Sequence, residues 1–265
     1  MSQAIAHSVH ATRHPFGGDF LSRLEVTHGP VNLLGRFFLK AYSDALSRGI
    51  ALSFASSADL IETNKSNPDS WLPLVPVFDD RFFDATPDNV FCIVGRDATG
   101  RIVATHACRL YDWSGTNFEA EAGSLRMFYC DPNHMRLPGE TCEVTAPSAK
   151  TITGLTIFSG AAWCHPDFRG KGVSSILPLI GKAYALTLWP APRIVGLMAE
   201  KMHARGFASH FGYTSVDWNI FWTNSPMGTL RLALLTVMRE QTFDRVREYL
   251  AGGAEVEFSV SNRRA

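Results

Sequence analysis

Apolar residues recur at helical intervals near the start of the chain and then form a short continuous run. Helical spacing from Val31 to Ser47 predicts a helix, and Gly49 suits its end. The apolar run from Ile50 to Phe54 predicts a strand directly after it. Residues 1–30 have little periodicity, so we expect an arm ahead of the first helix.

The following segments contain signals for a capped helix, a loop and a hairpin. Ser56 or Ser57 is expected to cap a helix that runs through Leu60 to Thr63. Prolines 68, 73 and 76 predict a loop or a broken helix over residues 67–80. The turn Asp97-Ala98-Thr99-Gly100 separates two apolar runs and predicts a β-hairpin, whose strands are Val90 to Val94 and Arg101 to Ala107.

The segment Tyr111 to Thr153 has aromatic residues and prolines but no strong periodicity. Loops of this length in a compact domain are usually functional covers or mobile segments. We therefore expect this connection to contribute to a binding pocket.

Strand-like and helix-like segments alternate through the rest of the chain. The predicted elements are a strand at Leu155 to Trp163, a helix at Ile176 to Leu188, a strand at Pro192 to Met198, a helix at Glu200 to Phe211, a helix at Met227 to Leu250 and a last strand at Glu255 to Ser261. The apolar helix at 227–250 serves either to cover the sheet or to form a homodimer.

These elements predict an α/β (α+β) fold with a mixed, mostly antiparallel twisted sheet flanked by helices. We expect residues 1–48 to form an arm and a helix packed on the core. Residues 49–265 would then form the main domain, with the long 111–153 connection and a C-terminal helix and strand.

Composition narrows the classes of function. The 265 residues are 46% hydrophobic, which supports a substantial core, and 25 basic residues balance 25 acidic ones. No bulk charge therefore attracts nucleic acid or an anionic membrane. Five cysteines without C-x-x-C spacing, no signal peptide and no transmembrane run predict a cytoplasmic protein with reduced thiols. His7, His10 and His14 lack metal-ligand spacing, so no metal is expected.

The run from Cys164 to Ser175 is the segment that indicates chemistry. Gly170 and Gly172 allow a tight turn whose N–H groups point inward, and this turn leads into a predicted helix. A helix N-terminus with such a turn suits a phosphate-sized anion. If Ser175 is the N-cap, Pro178 occupies the third helical position and has no intrahelical hydrogen bond to lose.

Two phosphate-binding motifs fit this run poorly. A Walker A loop needs Ser or Thr after its lysine, but Gly172 follows Lys171. A dinucleotide fingerprint starting at Gly170 would need a third Gly or Ala where Ser175 stands, and no acidic residue follows at the expected distance.

The segment resembles the acetyl-coenzyme A motif of the GNAT superfamily of N-acetyltransferases. The pattern is carried by Arg169, Gly172 and the small residue Ser174, with Pro166 upstream. The strand after the cradle helix and the later Phe211-Gly212-Tyr213 also suit the family, and the resemblance covers roughly Ile50 to Thr223.

The resemblance implies a coenzyme A site. Backbone amides around the turn would bind the pyrophosphate, with Arg169 and Lys171 supplying charge, while a splayed strand would hold the pantetheine arm. The residues implied are Ala162, Trp163, Cys164, Arg169, Gly170, Lys171, Gly172, Val173, Ser174 and Lys201.

The resemblance also raises a question about proton transfer. Ala208 stands where many family members have a tyrosine general acid, and Lys201 stands where an Asn is common. His210 or Ser209 is a substitute donor, and water is a further one.

For the general base, Glu143 is the nearest carboxylate ahead of the strand at 155–163, Glu140 is second, and His165 is the alternative. Cys164 is more typical of a buried small hydrophobe than of a nucleophile.

Three functions follow. The first is an N-acetyltransferase that moves an acetyl or other acyl group from acetyl-coenzyme A directly to an amine of a small molecule or peptide. The second is an acyl-coenzyme A-binding module without catalysis, which the alanine at 208 favours. The third is a nucleotide-dependent oxidoreductase.

Overall fold

In the computed structural model, residues 20–252 are described, and they build one eight-stranded sheet. The strand order is β1-β2-β3-β5-β6-β8-β7-β4, and every neighbouring pair is antiparallel except the parallel pair β5 and β6. The predicted mixed, mostly antiparallel sheet is therefore confirmed. The strands are β1 (Ala51–Ala55), β2 (Val90–Arg96), β3 (Ile102–Trp113), β4 (Thr141–Val144), β5 (Gly154–Cys164), β6 (Arg193–Ala199), β7 (Ser215–Ser225) and β8 (Gly228–Met238).

Helices flank the sheet on both faces, and short 3-10 helices occur in the connections. The α-helices are α1 (Val31–Ser47), α2 (Ser57–Lys65), α3 (Phe118–Gly123), α4 (Pro132–Met135), α5 (Val173–Leu188), α6 (Glu200–His203), α7 (Phe207–His210) and α8 (Arg239–Leu250). The 3-10 helices are Leu21–Arg23, Pro76–Phe78, Pro147–Thr151 and Pro166–Phe168. Among residues 20–252, none of the helices has the length and apolarity that a membrane span requires.

The first helices and the hairpin follow their local sequence signals. Helix α1 has the predicted bounds, and it buries Leu34, Phe37 and Phe38 on one side. Ser56 caps α2 through a capping box with Asp59. The hairpin of β2 and β3 forms around the predicted turn, where Asp97 accepts hydrogen bonds from the backbone N–H groups of Thr99 and Arg101.

Apolar side chains form one core on each face of the sheet. On one face, α1, α5 and α8 pack against strand residues that include Ile93, Ile194 and Leu235. On the other face, the 3-10 helix Pro76–Phe78 and helix α3 cover residues such as Phe158 and Leu234. The central strands are buried on both faces, which explains why their sequences are continuous apolar runs.

The predicted helix over 227–250 is wrong in its first half, which is strand β8, and right in its second half, which is α8. Leu232 and Leu234 face one core, whereas Ala233, Leu235 and Val237 face the other. Because both faces of β8 are buried, its sequence lacks the period-two alternation of a half-exposed strand. Such a run cannot be told from a buried helix by its spacing.

Two other predicted elements also differ from the structure. The 111–153 connection contains the end of β3, two short α-helices, a 3-10 helix and edge strand β4, so it is not an extended loop. The predicted helix from Glu200 to Phe211 is divided into α6 and α7, because Gly206 between them has a left-handed φ of +78°. The predicted last strand, Glu255 to Ser261, lies outside the described residues.

Candidate functional site

The turn between β5 and α5 has the backbone that its glycines predict. Gly170 and Gly172 have φ values of +77° and +73°, which L-residues with a Cβ rarely adopt. Gly172 is the N-cap of α5, a helix of 16 residues. The turn therefore ends directly on the N-terminus of a long helix.

The N–H groups of this turn are unpaired in the described part of the chain. Within residues 20–252, the five N–H groups of residues 170–174 donate to neither a backbone nor a side-chain atom. The first N–H groups of any helix lack intrahelical partners, and the helix dipole adds positive potential at the same end. Five consecutive free donors on a glycine turn form a cradle for an anion. We call residues 170–174 the cradle.

The prediction that Ser175 is the N-cap is wrong. Gly172 has that role, and the Ser175 hydroxyl donates to the Gly172 carbonyl over 2.8 Å. Pro178 is therefore the sixth helical residue, and it cannot donate to the carbonyl of Ser174 four residues earlier. The cradle is unaffected, because all of its free N–H groups precede this proline.

Positive charge surrounds the cradle. Lys171 is exposed, with its Nζ 4.4 Å from the centre of the Phe168 ring. The Arg169 guanidinium donates through Nε to the Cys164 carbonyl over 3.2 Å, and through Nη2 to the Ser70 carbonyl over 3.5 Å. Arg169 therefore fixes the turn against β5 and a neighbouring loop. Within residues 20–252, neither cation has a carboxylate partner.

Arg48 is a cradle neighbour that the sequence did not indicate. It follows the last residue of α1, and its Nε and Nη2 lie 3.5 and 3.6 Å from the position that a Cβ on Gly172 would occupy. Helix α1 packs against α5, which brings these distant segments together. No local motif marks Arg48, because its position depends on that helix packing.

Strand β5 separates from β6 beyond Phe158. The two parallel strands pair only at Ile157 with Ile194 and at Phe158 with Val195. Strand β6 nevertheless continues along β8 to Ala199, so the two strands diverge as a fork. Among residues 20–252, no strand lies beside the β6-facing edge of β5 over residues 159–164, which includes Ala162, Trp163 and Cys164. The splay implied by the resemblance is present.

A bulge distorts β5 within the fork. Ala161 has a φ of +51°, and the register with β3 shifts at this point. The Thr105 hydroxyl donates to the Ala161 carbonyl over 2.7 Å and holds the bulge. A left-handed conformation costs a residue with a Cβ about 1–2 kcal/mol, and such strain is concentrated at functional sites.

The hydroxyl of Tyr213 reaches into the base of the fork. It donates to the Ser159 carbonyl over 3.3 Å, and a Cβ on Gly196 of β6 would overlap it. Tyr213 is 8% exposed, and burial raises the pKa of its phenol. The sequence placed Tyr213 only in an aromatic-Gly-aromatic pattern, so its position between β5 and β6 was not predicted.

Of the residues predicted to move protons, His210 touches the cradle. Its Nε2 lies 3.1 Å from the hydroxyl oxygen of Ser174. Burial, with a smaller contribution from the charge of Arg245, lowers the pKa of His210. Ala208, in the preceding turn, is buried. The lowered pKa of His210 favours the neutral imidazole near neutral pH, and a neutral imidazole can accept a proton.

His165 lies at the end of β5, next to the cradle loop. Its Nδ1 accepts a hydrogen bond from the Asp167 N–H over 3.3 Å, and its ring contacts the rings of Trp163 and Phe168. These contacts orient the imidazole at the mouth of the fork.

The two glutamates do not join the cradle. Glu143 lies on β4, opposite Phe221, and strands β6, β8 and β7 separate β4 from β5 in the sheet. The expectation that it adjoins the strand at 155–163 is therefore wrong. Glu140 is buried, and it accepts hydrogen bonds from the Tyr129 hydroxyl, the Trp222 indole and the Leu137 N–H. Its position fixes the 111–153 connection against β7.

Cys164 and Lys201 complete the predicted set. Cys164 is 8% exposed, and burial raises the pKa of its thiol, although Arg169 and Lys171 oppose that shift. A nucleophilic cysteine needs a lowered pKa, so these surroundings argue against that role. Lys201 is exposed on α6, the short helix that follows β6.

The chain matches no family model and no curated protein. Solved structures with a similar fold include N-acetyltransferases. Spermidine N-acetyltransferase of Vibrio cholerae, in its dodecameric structure, is 11% identical, with a TM-score of 0.44 over 74% of this chain and 98% of that one. Arabidopsis thaliana NAA60 in complex with a bisubstrate analogue is 9% identical, with a TM-score of 0.44 over 71% of this chain and 97% of that one.

Proposed function

We propose that this protein is an N-acetyltransferase, which transfers the acetyl group of acetyl-coenzyme A directly to an amine of a small molecule or peptide. The observation that carries the proposal is the pairing of two backbone sites on one β5-turn-α5 unit. The cradle has free N–H groups for a diphosphate, and the β5 edge in the fork, which has no strand beside it among residues 20–252, can take an extended amide chain. Coenzyme A combines these two chemical features.

The cradle fits the pyrophosphate. Each of the two bridged phosphates carries negative charge, and the N–H groups of residues 170–174 can donate to their oxygens without a change in the turn. Lys171 adds an exposed cation at the rim. Since the Arg169 guanidinium donates to backbone carbonyls, we propose that Arg169 holds the turn in shape and adds positive electrostatic potential to the cradle.

The fork fits the pantetheine arm. An extended chain with amide groups can hydrogen-bond to a free strand edge, as a peptide adds to a sheet. Residues 159–164 of β5 offer such an edge. The bulge at Ala161 shifts the pairing register of β5 with β3 at this point. An N–H group on this edge would stabilise negative charge on the thioester oxygen during attack by the amine.

The reaction needs one proton removed from the amine and one delivered to the leaving thiolate. We assign these transfers to His210 and His165, which lie beside the cradle and at the mouth of the fork. Ser174, bonded to His210, orients that imidazole. Glu143 is the weaker candidate because of its position on β4.

Lys201 is proposed as an outer contact of the bound coenzyme A, since α6 starts where β6 ends. The five cysteines are unpaired, which favours a reducing compartment, and we propose the cytoplasm.

Thermal melting with acetyl-coenzyme A tests the binding half of the proposal. A ligand at about 100 times its dissociation constant stabilises the folded state by about 2.7 kcal/mol. NAD serves as the comparison ligand and should have no effect. Lys171→Glu should weaken the shift, whereas the matched control Lys65→Glu, on the exposed end of α2, should not.

Release of free thiol in the presence of amines tests the catalytic half. Thiol release that depends on an added amine supports the transferase. Stabilisation by acetyl-coenzyme A with no thiol release from a broad amine set would favour the non-catalytic binding module, for which Ala208 is the specific observation. Stabilisation by NAD alone would overturn both.

A further inference from the structure

Arg48 presents an unused pair of donors to the cradle. Its Nη1 donates to the Asp44 carbonyl over 2.7 Å, and this bond caps the last turn of α1. The Nε and Nη2 atoms face Gly172, and in the part of the chain that the structure describes they have no acceptor. The Nε–Nη2 edge of an arginine is one that binds phosphate in a bidentate manner.

The carboxylate nearest to Arg48 in sequence is already satisfied. Asp44, one turn earlier on α1, pairs with Lys40 over 3.0 Å and accepts a hydrogen bond from the Tyr249 hydroxyl of α8. Burial raises the pKa of Asp44, but the bonds from Tyr249 and Lys40, together with the charges of Lys40 and Arg48, lower it overall. Among residues 20–252, Arg48 forms no ion pair with a carboxylate.

Helix α1 holds Arg48 in a fixed position. Phe37 and Phe38 of α1 are buried in the core shared with α5 and α8, and Phe37 packs edge-on against Tyr249 at 5.5 Å. Arg48 itself is half-buried at the end of this helix. The guanidinium is thus part of a rigid wall beside the cradle.

We infer that Arg48 binds the terminal phosphate monoester of coenzyme A, the phosphate on its ribose, and so makes α1 part of the ligand site. This inference rests on the proposed function. The cradle N–H groups account for the pyrophosphate, which leaves the monoester as the remaining phosphate of the ligand. A phosphate monoester carries about two negative charges, whereas each phosphate of the pyrophosphate carries one, so the monoester is the better partner for a bidentate guanidinium. Arg48 precedes the part of the chain, Ile50 to Thr223, that carries the family resemblance, so nothing in that resemblance assigns it.

Calorimetric titration with coenzyme A and with 3′-dephospho-coenzyme A tests the inference. The wild-type protein should bind coenzyme A about tenfold more tightly than the dephosphorylated form. Arg48→Gln should reduce that preference to about twofold or less while leaving the affinity for 3′-dephospho-coenzyme A within about twofold. Arg36→Gln, an exposed arginine on the same helix, removes the same charge and should leave the preference unchanged.

Each alternative outcome has a separate meaning. If Arg48→Gln weakens both ligands equally, Arg48 acts on the pyrophosphate or only through general charge, and the inference is wrong. A wild-type protein that binds both ligands equally well also overturns it. If neither ligand binds, the proposed function itself fails. Should Arg48→Gln fold poorly, Arg48→Lys takes its place in the titration. The lysine keeps the charge but lacks the bidentate edge, so its preference for coenzyme A should be intermediate.

Discussion

A buried lysine within α5 should make the stability of this protein depend on pH in a narrow range. Lys182 is 2% exposed; its Nζ donates to the Phe211 carbonyl over 2.5 Å and lies 3.4 Å from the centre of the Tyr213 ring. Within residues 20–252 it has no carboxylate partner. The other titratable or charged groups around it are His106, Cys108 and Arg245. Replacing Lys182 with Met removes the buried charge and keeps a similar volume.

The magnitude follows from the pKa of Lys182, which burial lowers from 10.5 to about 7. Above pH 7 the folded chain has released a proton that the unfolded chain keeps until its own, higher pKa. The unfolded state therefore binds more protons, and the free energy of unfolding rises by about 1.4 kcal/mol per pH unit. Burial raises the pKa of the Cys108 thiol from its ordinary value of 9, so above pH 9 this thiol lowers the free energy of unfolding as pH rises. Burial lowers the pKa of His106 from 6.5 to about 3, so His106 changes the pH dependence of the free energy of unfolding only below pH 6.5.

Urea unfolding at about pH 7 and about pH 8.5 measures the effect between those limits. The free energy of unfolding of the wild-type protein should rise by about 2 kcal/mol more than that of Lys182→Met over this range. Lys171→Met, which removes an exposed lysine, should follow the wild type. Equal pH slopes for the wild type and Lys182→Met would show that Lys182 does not titrate in this range.

Three further substitutions test the packing and chemistry of the site. Gly181→Ala places a Cβ on the buried His106 ring; overlap of this kind costs about 1–3 kcal/mol, against about 1 kcal/mol gained in helix propensity, so chemical denaturation should report a net loss. Gly196→Ala overlaps the Tyr213 hydroxyl and lies 3.1 Å from the Ser159 carbonyl, so it should weaken acetyl-coenzyme A binding in titrations; unchanged affinity would place the ligand outside the fork. Cys164→Ser should keep thiol-release activity within about twofold, since direct transfer needs no acyl-enzyme; a loss of several hundredfold would indicate a nucleophilic Cys164.

Local signals in the sequence predicted the features that depend on local backbone. The glycines at 170 and 172 need a left-handed φ, and the apolar spacing of α1 gives one buried side, so both were predicted correctly. The β2-β3 hairpin is similar, because the Asp97 turn is closed by its own side chain.

Features that depend on distant packing were not predictable. Strand β8 is buried on two faces and lost the alternation that marks a strand. The N-cap of α5 was misplaced, because a Gly in a left-handed conformation competes with Ser175 for that position. Arg48 and Tyr213 reach the site through helix packing and strand divergence, which no spacing within one segment encodes.

The proposed function depends on binding of the coenzyme A phosphates by the cradle amides. Amide NMR spectra of protein labelled with ¹⁵N-glycine would test it directly, since only 21 residues of the chain are glycine and Gly170→Ala and Gly172→Ala assign the two of interest. We predict that saturating coenzyme A shifts the Gly170 and Gly172 amide signals more than that of a glycine far from the cradle, such as Gly154 at the opposite end of β5. Saturation that leaves the Gly170 and Gly172 signals in place would mean that the cradle amides do not bind these phosphates.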